Sequence, residues 1–199
     1  MQNCDIAETL YEVGSISIGE YILSSGLKSK IYIDLRKVLS FVKARNIIKN
    51  ALLAELANKI NIIDVVVGIA TGGIPWATMI ADYYGKPLSY VRPERKDHGT
   101  GKLLEGVIEG KNVLLVDDVA TTGLSLEKAI KVLNSYNIMP SNVTAIVIVD
   151  RGQGASERLR RLGSRLISII SLKDILYCLK TKGFLSDDKY YEIISSISS

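Results

Sequence analysis

Cysteine is scarce in this chain: there are two in 199 residues, Cys4 and Cys178, far apart and in no metal-binding spacing. Their scarcity argues against a disulfide framework and against a zinc site. Long apolar runs are missing as well, since none approaches the roughly 20 residues that cross a bilayer. The opening stretch MQNCDIAETLYEVGS carries acidic residues and no apolar core of the signal-peptide kind. Internal repeats and low-complexity tracts are absent. These absences predict a cytoplasmic protein with no membrane partner.

What remains is ordinary for a globular chain. Hydrophobic residues make up 47% and charged residues 23%, enough for a sizeable core in a single domain over residues 1–199. The net charge of +4 suits an anionic small molecule as well as nucleic acid and decides for neither.

Elements follow from the spacing of apolar residues. CDIAETLYEVG reads as a short helix ended by Gly14. SISIGEYILSSG and SKIYIDLR alternate as strands joined by a Ser-Ser-Gly turn. FVKARNIIKNALLAELANKI has helical spacing at Ile47, Ile48, Ala51, Leu52 and Leu56. From Asp64 onward, short apolar runs such as DVVVGIA, NVLLVDDV and NVTAIVIVD alternate with helical patterns. Gly85 closes one of these helices, and Leu126, Ala129, Ile130 and Leu133 make the apolar face of another. The alternation predicts an α/β fold, a doubly wound and mainly parallel sheet flanked by helices. The early strand pair stands outside it and is expected as a small N-terminal hood within residues 1–40.

Open α/β sheets bind ligands beyond the carboxyl ends of their strands. VLLVDDVATTGLS puts Asp117 and Asp118 at such an end, followed by the turn Ala120-Thr121-Thr122-Gly123 and a helix start. Free backbone N–H groups and the helix dipole make that turn an anion site. Gly123 permits close backbone approach, and the hydroxyls of Thr121, Thr122 and Ser125 add donors. No lysine follows the glycine, so this is not the usual nucleotide P-loop. Two carboxylates repel a phosphate placed on them, yet accept well from the hydroxyls of a sugar attached to it. The stretch reads as a sugar-phosphate binder; by itself it is also a plain acidic strand end before a helix.

The stretch resembles the phosphoribosyl diphosphate (PRPP) motif of the type I phosphoribosyltransferases. That resemblance implies PRPP contacts from Asp117, Asp118, Val119, Ala120, Thr121, Thr122, Gly123, Leu124 and Ser125. YVRPERKDHGTGKLLEG, read alone, is a solvated charged hairpin that holds the only histidine, His98. It is similar to the mobile catalytic loop of the orotate phosphoribosyltransferases, here residues 92–105. Arg92, Lys96 and His98 match the residues that meet the diphosphate in that family, and Pro93 stands where the family usually has lysine. SGLKSKIYIDLR resembles the family's N-terminal signature, which implies that Lys28 approaches both substrates; Lys30 stands where proline often follows. GIATGGIPWA resembles the diphosphate loop through Thr71 and Gly72. VDRGQGA puts Arg151 where the family binds the orotate carboxylate, with Thr121 nearby. Each of these last three is, by itself, an ordinary turn or strand end, but their order along the chain matches the family's.

The resemblance implies the type I phosphoribosyltransferase fold. It implies that orotate and PRPP give orotidine 5′-monophosphate (OMP) and diphosphate in pyrimidine (UMP) synthesis, with Lys96, His98 and Asp118 as catalytic residues. Mg2+ would be held mainly by substrate oxygens, with no metal cage from the protein. The partner would be a second copy, in a homodimer whose loop is shared across the interface. Two other readings stay open. One is transfer to a purine or to uracil. The other is a PRPP-sensing regulator that binds nucleic acid, for which the short N-terminal helix and hairpin leave no room for a winged helix.

Overall fold

A computed structural model describes residues 2–23, 26, 28–92 and 102–197. Helix α1 (Gln2–Glu12) leads into an antiparallel hairpin of β1 (Ile16–Ile22) and β2 (Lys28–Ile33). Helix α2 (Val42–Leu56), β3 (Val65–Ile69), α3 (Gly73–Tyr84), β4 (Leu88–Val91) and β5 (Leu104–Glu105) follow. Then come β6 (Val113–Ala120), α4 (Leu124–Ser135), β7 (Val143–Asp150), α5 (Ala155–Arg161) and β8 (Arg165–Ser171). Helices α6 (Leu172–Thr181) and α7 (Asp187–Ile197) end the described chain.

The main sheet runs β5-β4-β3-β6-β7-β8 and is parallel except for β5. Its centre follows from composition. Every residue of β3 is buried, as are Val113 to Asp117 of β6. Strands with apolar side chains on both faces need helices on both. On one face α4 buries Leu126, Ala129, Ile130 and Leu133, the four residues its spacing predicts. On the other, α2 buries Ile48, Ala51, Leu52 and Leu56, while Ile47 is 39% exposed. Successive residues of a helix lie about 100° apart, so a stripe centred on Ile48, Leu52 and Leu56 turns Ile47 outward.

Chain order reverses between β3 and β6. From β3 the chain moves outward to β4; from β6 it moves the other way, to β7 and β8. The crevice at such a switch point is where doubly wound sheets bind ligands. The hairpin remains a separate two-stranded sheet, as expected of a hood. Two elements go beyond the expected set. β5 pairs with Tyr90 and Val91 at the sheet edge, and α7 packs on β2, where Lys30 Nζ donates to Glu192 Oε1 at 2.7 Å.

One expectation is reversed. Cys4 and Cys178 form a disulfide between α1 and α6, with Cα atoms 5.1 Å apart. Their sequence separation of 174 hid this; the packing of α1 on α6 brings the sulfurs together. Among the described residues, no helix is long and apolar enough to cross a membrane.

Candidate active site

A cavity of about 730 Å³ opens where β3, β4, β6 and β7 end, with the hairpin sheet beside it. Asp117 and Asp118 line it from β6. Asp117 is buried and Asp118 half-buried. The Asp118 N–H donates to Asp117 Oδ1 at 2.9 Å, and the Val119 N–H to Asp118 Oδ1 at 2.8 Å. Among the described residues, neither carboxylate has an ion-pair partner. Burial raises both carboxyls above the ordinary carboxylate range, Asp117 well above it, and the charge of Asp118 adds to the rise at Asp117. At Asp118 the Val119 N–H and the positive charge of Arg36 pull back in part. Each carboxylate accepts one backbone N–H and, among the described residues, has no ion-pair partner, so the acceptor capacity left on the pair suits a ligand's hydroxyl donors.

Beyond the pair, α4 begins at Leu124 with no side-chain cap. Its first N–H groups find no acceptor within the helix until the Glu127 N–H, which donates to the Gly123 carbonyl at 2.9 Å. Gly123 adopts a left-handed φ of 76°, which a glycine takes without strain. Thr121 and Ser125 line the cavity, and their hydroxyls have no partner among the described residues. Lys128 and Lys131 line it from α4. Val119 lines it too, whereas Ala120 is buried and its carbonyl accepts the Arg151 N–H at 2.9 Å. Thr122 is half-buried and Leu124 exposed, and neither lines the cavity.

Thr71 and Gly72 face the pair across the switch point, after a cis peptide bond between Ala70 and Thr71. A Cβ on Gly72 would overlap the Asp118 carboxylate, so glycine lets the β3 loop lie against the acids. On the far side, Arg151 follows β7 and is 2% exposed. Its Nη2 donates to Ser29 Oγ at 2.7 Å and to the Ile31 carbonyl at 3.2 Å, and its Nε to Gln153 Oε1 at 3.1 Å. All three acceptors are neutral. Burial lowers its guanidinium to about 10, so it stays charged at neutral pH. A buried cation with no carboxylate partner among the described residues, facing a cavity, suits an incoming carboxylate.

The other expected residues are divided. Arg92 lines the cavity, with Nε donating to Glu105 Oε1 at 3.0 Å and Nη2 to the Tyr90 hydroxyl at 3.1 Å. Lys28 is exposed and lines a different cavity of about 500 Å³, with Glu20, Tyr21 and Lys30. Lys96 and His98, with Pro93 and Arg95, lie outside the described residues. Sequence reasoning missed Tyr32 and Arg36, which line the cavity from the hairpin side. Arg36 is tied there, its Nε donating to Asp34 Oδ1 at 2.7 Å. A signal was present for Tyr32, which lies between buried Ile31 and Ile33 and is turned by alternation to the other face of β2, whereas Arg36 follows in the turn beyond the strand. Among the described residues, no three His, Cys, Asp or Glu side chains cluster to hold a metal.

Residues 41–173 match the family model described as a phosphoribosyl transferase domain. The orotate phosphoribosyltransferase of Aeropyrum pernix is 44% identical over 180 residues, which cover 88% of this chain and 96% of that protein. The chain belongs to the orotate phosphoribosyltransferase family. The crystal structure of the Aeropyrum pernix family member matches with a TM-score of 0.77 and 41% identity, covering 89% of this chain and 99% of that one. The Mycobacterium tuberculosis H37Rv family member, in complex with PRPP, matches with a TM-score of 0.65 and 28% identity, covering 88% and 99%. The family's type I phosphoribosyltransferase fold is thus this chain's fold, with the Asp117–Asp118 pair at its switch point.

Proposed function

We propose that this chain transfers ribose 5-phosphate from PRPP to orotate, giving OMP and diphosphate, as a step of pyrimidine nucleotide synthesis. One observation carries the reading: a single cavity is lined both by the Asp117–Asp118 carboxylates and by the Arg151 guanidinium, none of which has an ion-pair partner among the described residues. The acids suit the ribose hydroxyls. The uncapped start of α4, with Thr121 and Ser125, suits the 5-phosphate. Arg151 suits the carboxylate that sets orotate apart from other nucleobases, with Thr121 beside the ring.

In the transfer, N1 of orotate bonds to ribose C1 as the C1–O bond to diphosphate breaks. The electron pair of the broken bond leaves with diphosphate, and the N1 proton is released. Positive charge grows on the ribose, where Asp117 and Asp118 favour it. Negative charge grows on the diphosphate, which Arg92, Lys96 and the Thr71–Gly72 backbone meet, with His98 as proton donor. Lys28 takes no part in this reading.

Mg2+ fits the same cavity. Asp117 and Asp118, which have no ion-pair partner among the described residues, favour a cation that arrives on the substrate, and PRPP oxygens and water would complete its shell. When bound, it would neutralise charge on the diphosphate. The working form is a single-domain, cytoplasmic homodimer in which residues 92–105 of each subunit serve the partner's site.

The test is the loss of orotate absorbance on mixing with PRPP and Mg2+. The proposal expects turnover that needs all three components and releases one diphosphate per orotate consumed. No turnover, together with salt-sensitive binding to DNA, would favour the regulator instead.

A further inference from the structure

The turn between Asp118 and α4 lacks a side-chain cap, yet it is held from behind. A Cβ on Gly123 would come to 2.9 Å from Ala155 Cα, so α5 lies directly against the turn. Arg158 reaches forward from that helix. Its Nε donates to the Thr122 carbonyl at 2.7 Å. Its Nη1 pairs with one carboxylate oxygen of Glu127. The other oxygen of Glu127 accepts from Lys131 Nζ at 2.6 Å.

Both bonds bear on an anion in the turn. In a trans peptide the C=O and the next N–H point in opposite directions. Arg158 fixes the Thr122 carbonyl on the α5 side, so the Gly123 N–H points away from α5. Thr121 and Ser125, on either side of this peptide, line the cavity. Glu127, meanwhile, lies in the first turn of α4, where its charge would oppose a bound phosphate. Arg158 and Lys131 neutralise it and hold its carboxyl below the ordinary range.

We propose that Arg158 is a positioning residue for the phosphate of the sugar-phosphate substrate. It presents the Gly123 N–H and cancels the Glu127 charge without touching the substrate. The inference rests on the transferase reading for its choice of PRPP, but inorganic phosphate probes the same turn directly.

Arg158→Met keeps the aliphatic stem and removes both bonds. Steady-state kinetics should show the PRPP KM rising about tenfold, with kcat and the orotate KM within about twofold. Calorimetric binding of inorganic phosphate should weaken in step, while the melting temperature holds. Arg158→Lys keeps a charge near Glu127 but has one nitrogen for two acceptors, so an intermediate PRPP KM is expected. It also serves if the methionine variant fails to fold. A PRPP KM within about twofold of wild type in the folded variants, or equal rises in both KM values, overturns the assignment and leaves the transferase reading standing. Conversely, a wild-type protein that turns over no PRPP, but binds phosphate in a way that Arg158→Met weakens, fails the transferase reading and upholds this one.

Discussion

Arg151 Nη2 donates to the hydroxyl of Ser29 at 2.7 Å, across 122 positions of sequence. The same hydroxyl donates to the Ile31 carbonyl at 2.8 Å. The hairpin thereby aims the guanidinium that ends β7. Ser29→Ala removes that acceptor and leaves a buried N–H unpaired, a loss of about 1–3 kcal/mol. The orotate KM should rise about fivefold or more while the PRPP KM stays put. Equal changes in both would give Ser29 a purely structural role.

The acid pair sets stability against binding. Asp117 holds its proton more tightly in the folded chain than in the unfolded one. Where a folded acid binds the extra proton, stability falls as pH rises from the ordinary unfolded value, near 3.9, towards the raised folded value. Asp117→Asn removes this dependence. Its melting temperature should therefore gain on wild type between pH 4 and neutral pH, while its PRPP affinity drops about tenfold. A melting difference that is flat with pH, or unchanged PRPP affinity by calorimetry, would contradict the account.

Much of this was legible because the physics is local. The buried runs of β3, β6 and β7 announce a parallel sheet, and Asp117, Asp118 and Arg151 stand at strand ends that line one cavity. What escaped is non-local. Arg36 reaches the cavity only because the hairpin sheet sits beside the main sheet's strand ends. Lys28 lines a neighbouring cavity with Glu20, Tyr21 and Lys30, a placement that its position in β2 does not announce. The support that Arg158 gives to Thr122 depends on α5 packing behind α4, which no spacing within either helix records. The disulfide joins α1 to α6, and a sequence reading has no view of that pairing.

That disulfide closes a loop spanning 174 positions of sequence. Long closed loops restrict the unfolded chain most, and removing such a link costs about 2–5 kcal/mol. Urea midpoints should fall on adding reductant, and Cys4→Ser should show the lowered midpoint with or without it. Identical midpoints in all four measurements would remove the disulfide from the stability of this protein.

Sharing of residues 92–105 across a dimer is open to complementation. Lys96→Ala and Asp118→Asn are each expected to be inactive. After random subunit exchange, about a quarter of sites combine an intact loop with intact carboxylates, provided that sharing crosses the interface. Recovery to that level is expected. A mixture as inactive as its parents, once exchange is confirmed by mass spectrometry, would confine each loop to its own subunit.

The central claim is that one cavity joins a ribose-binding acid pair to a carboxylate-binding arginine. The most direct measurement compares kcat/KM for orotate and for uracil, the same ring without the carboxylate, in wild type and in Arg151→Ala. A buried charge-assisted pair discriminates by about a hundredfold or more. Wild type should prefer orotate by at least that factor, and Arg151→Ala should lose most of the preference while its PRPP KM holds. Equal use of uracil by wild type, or a variant that loses both bases in proportion, would contradict the account.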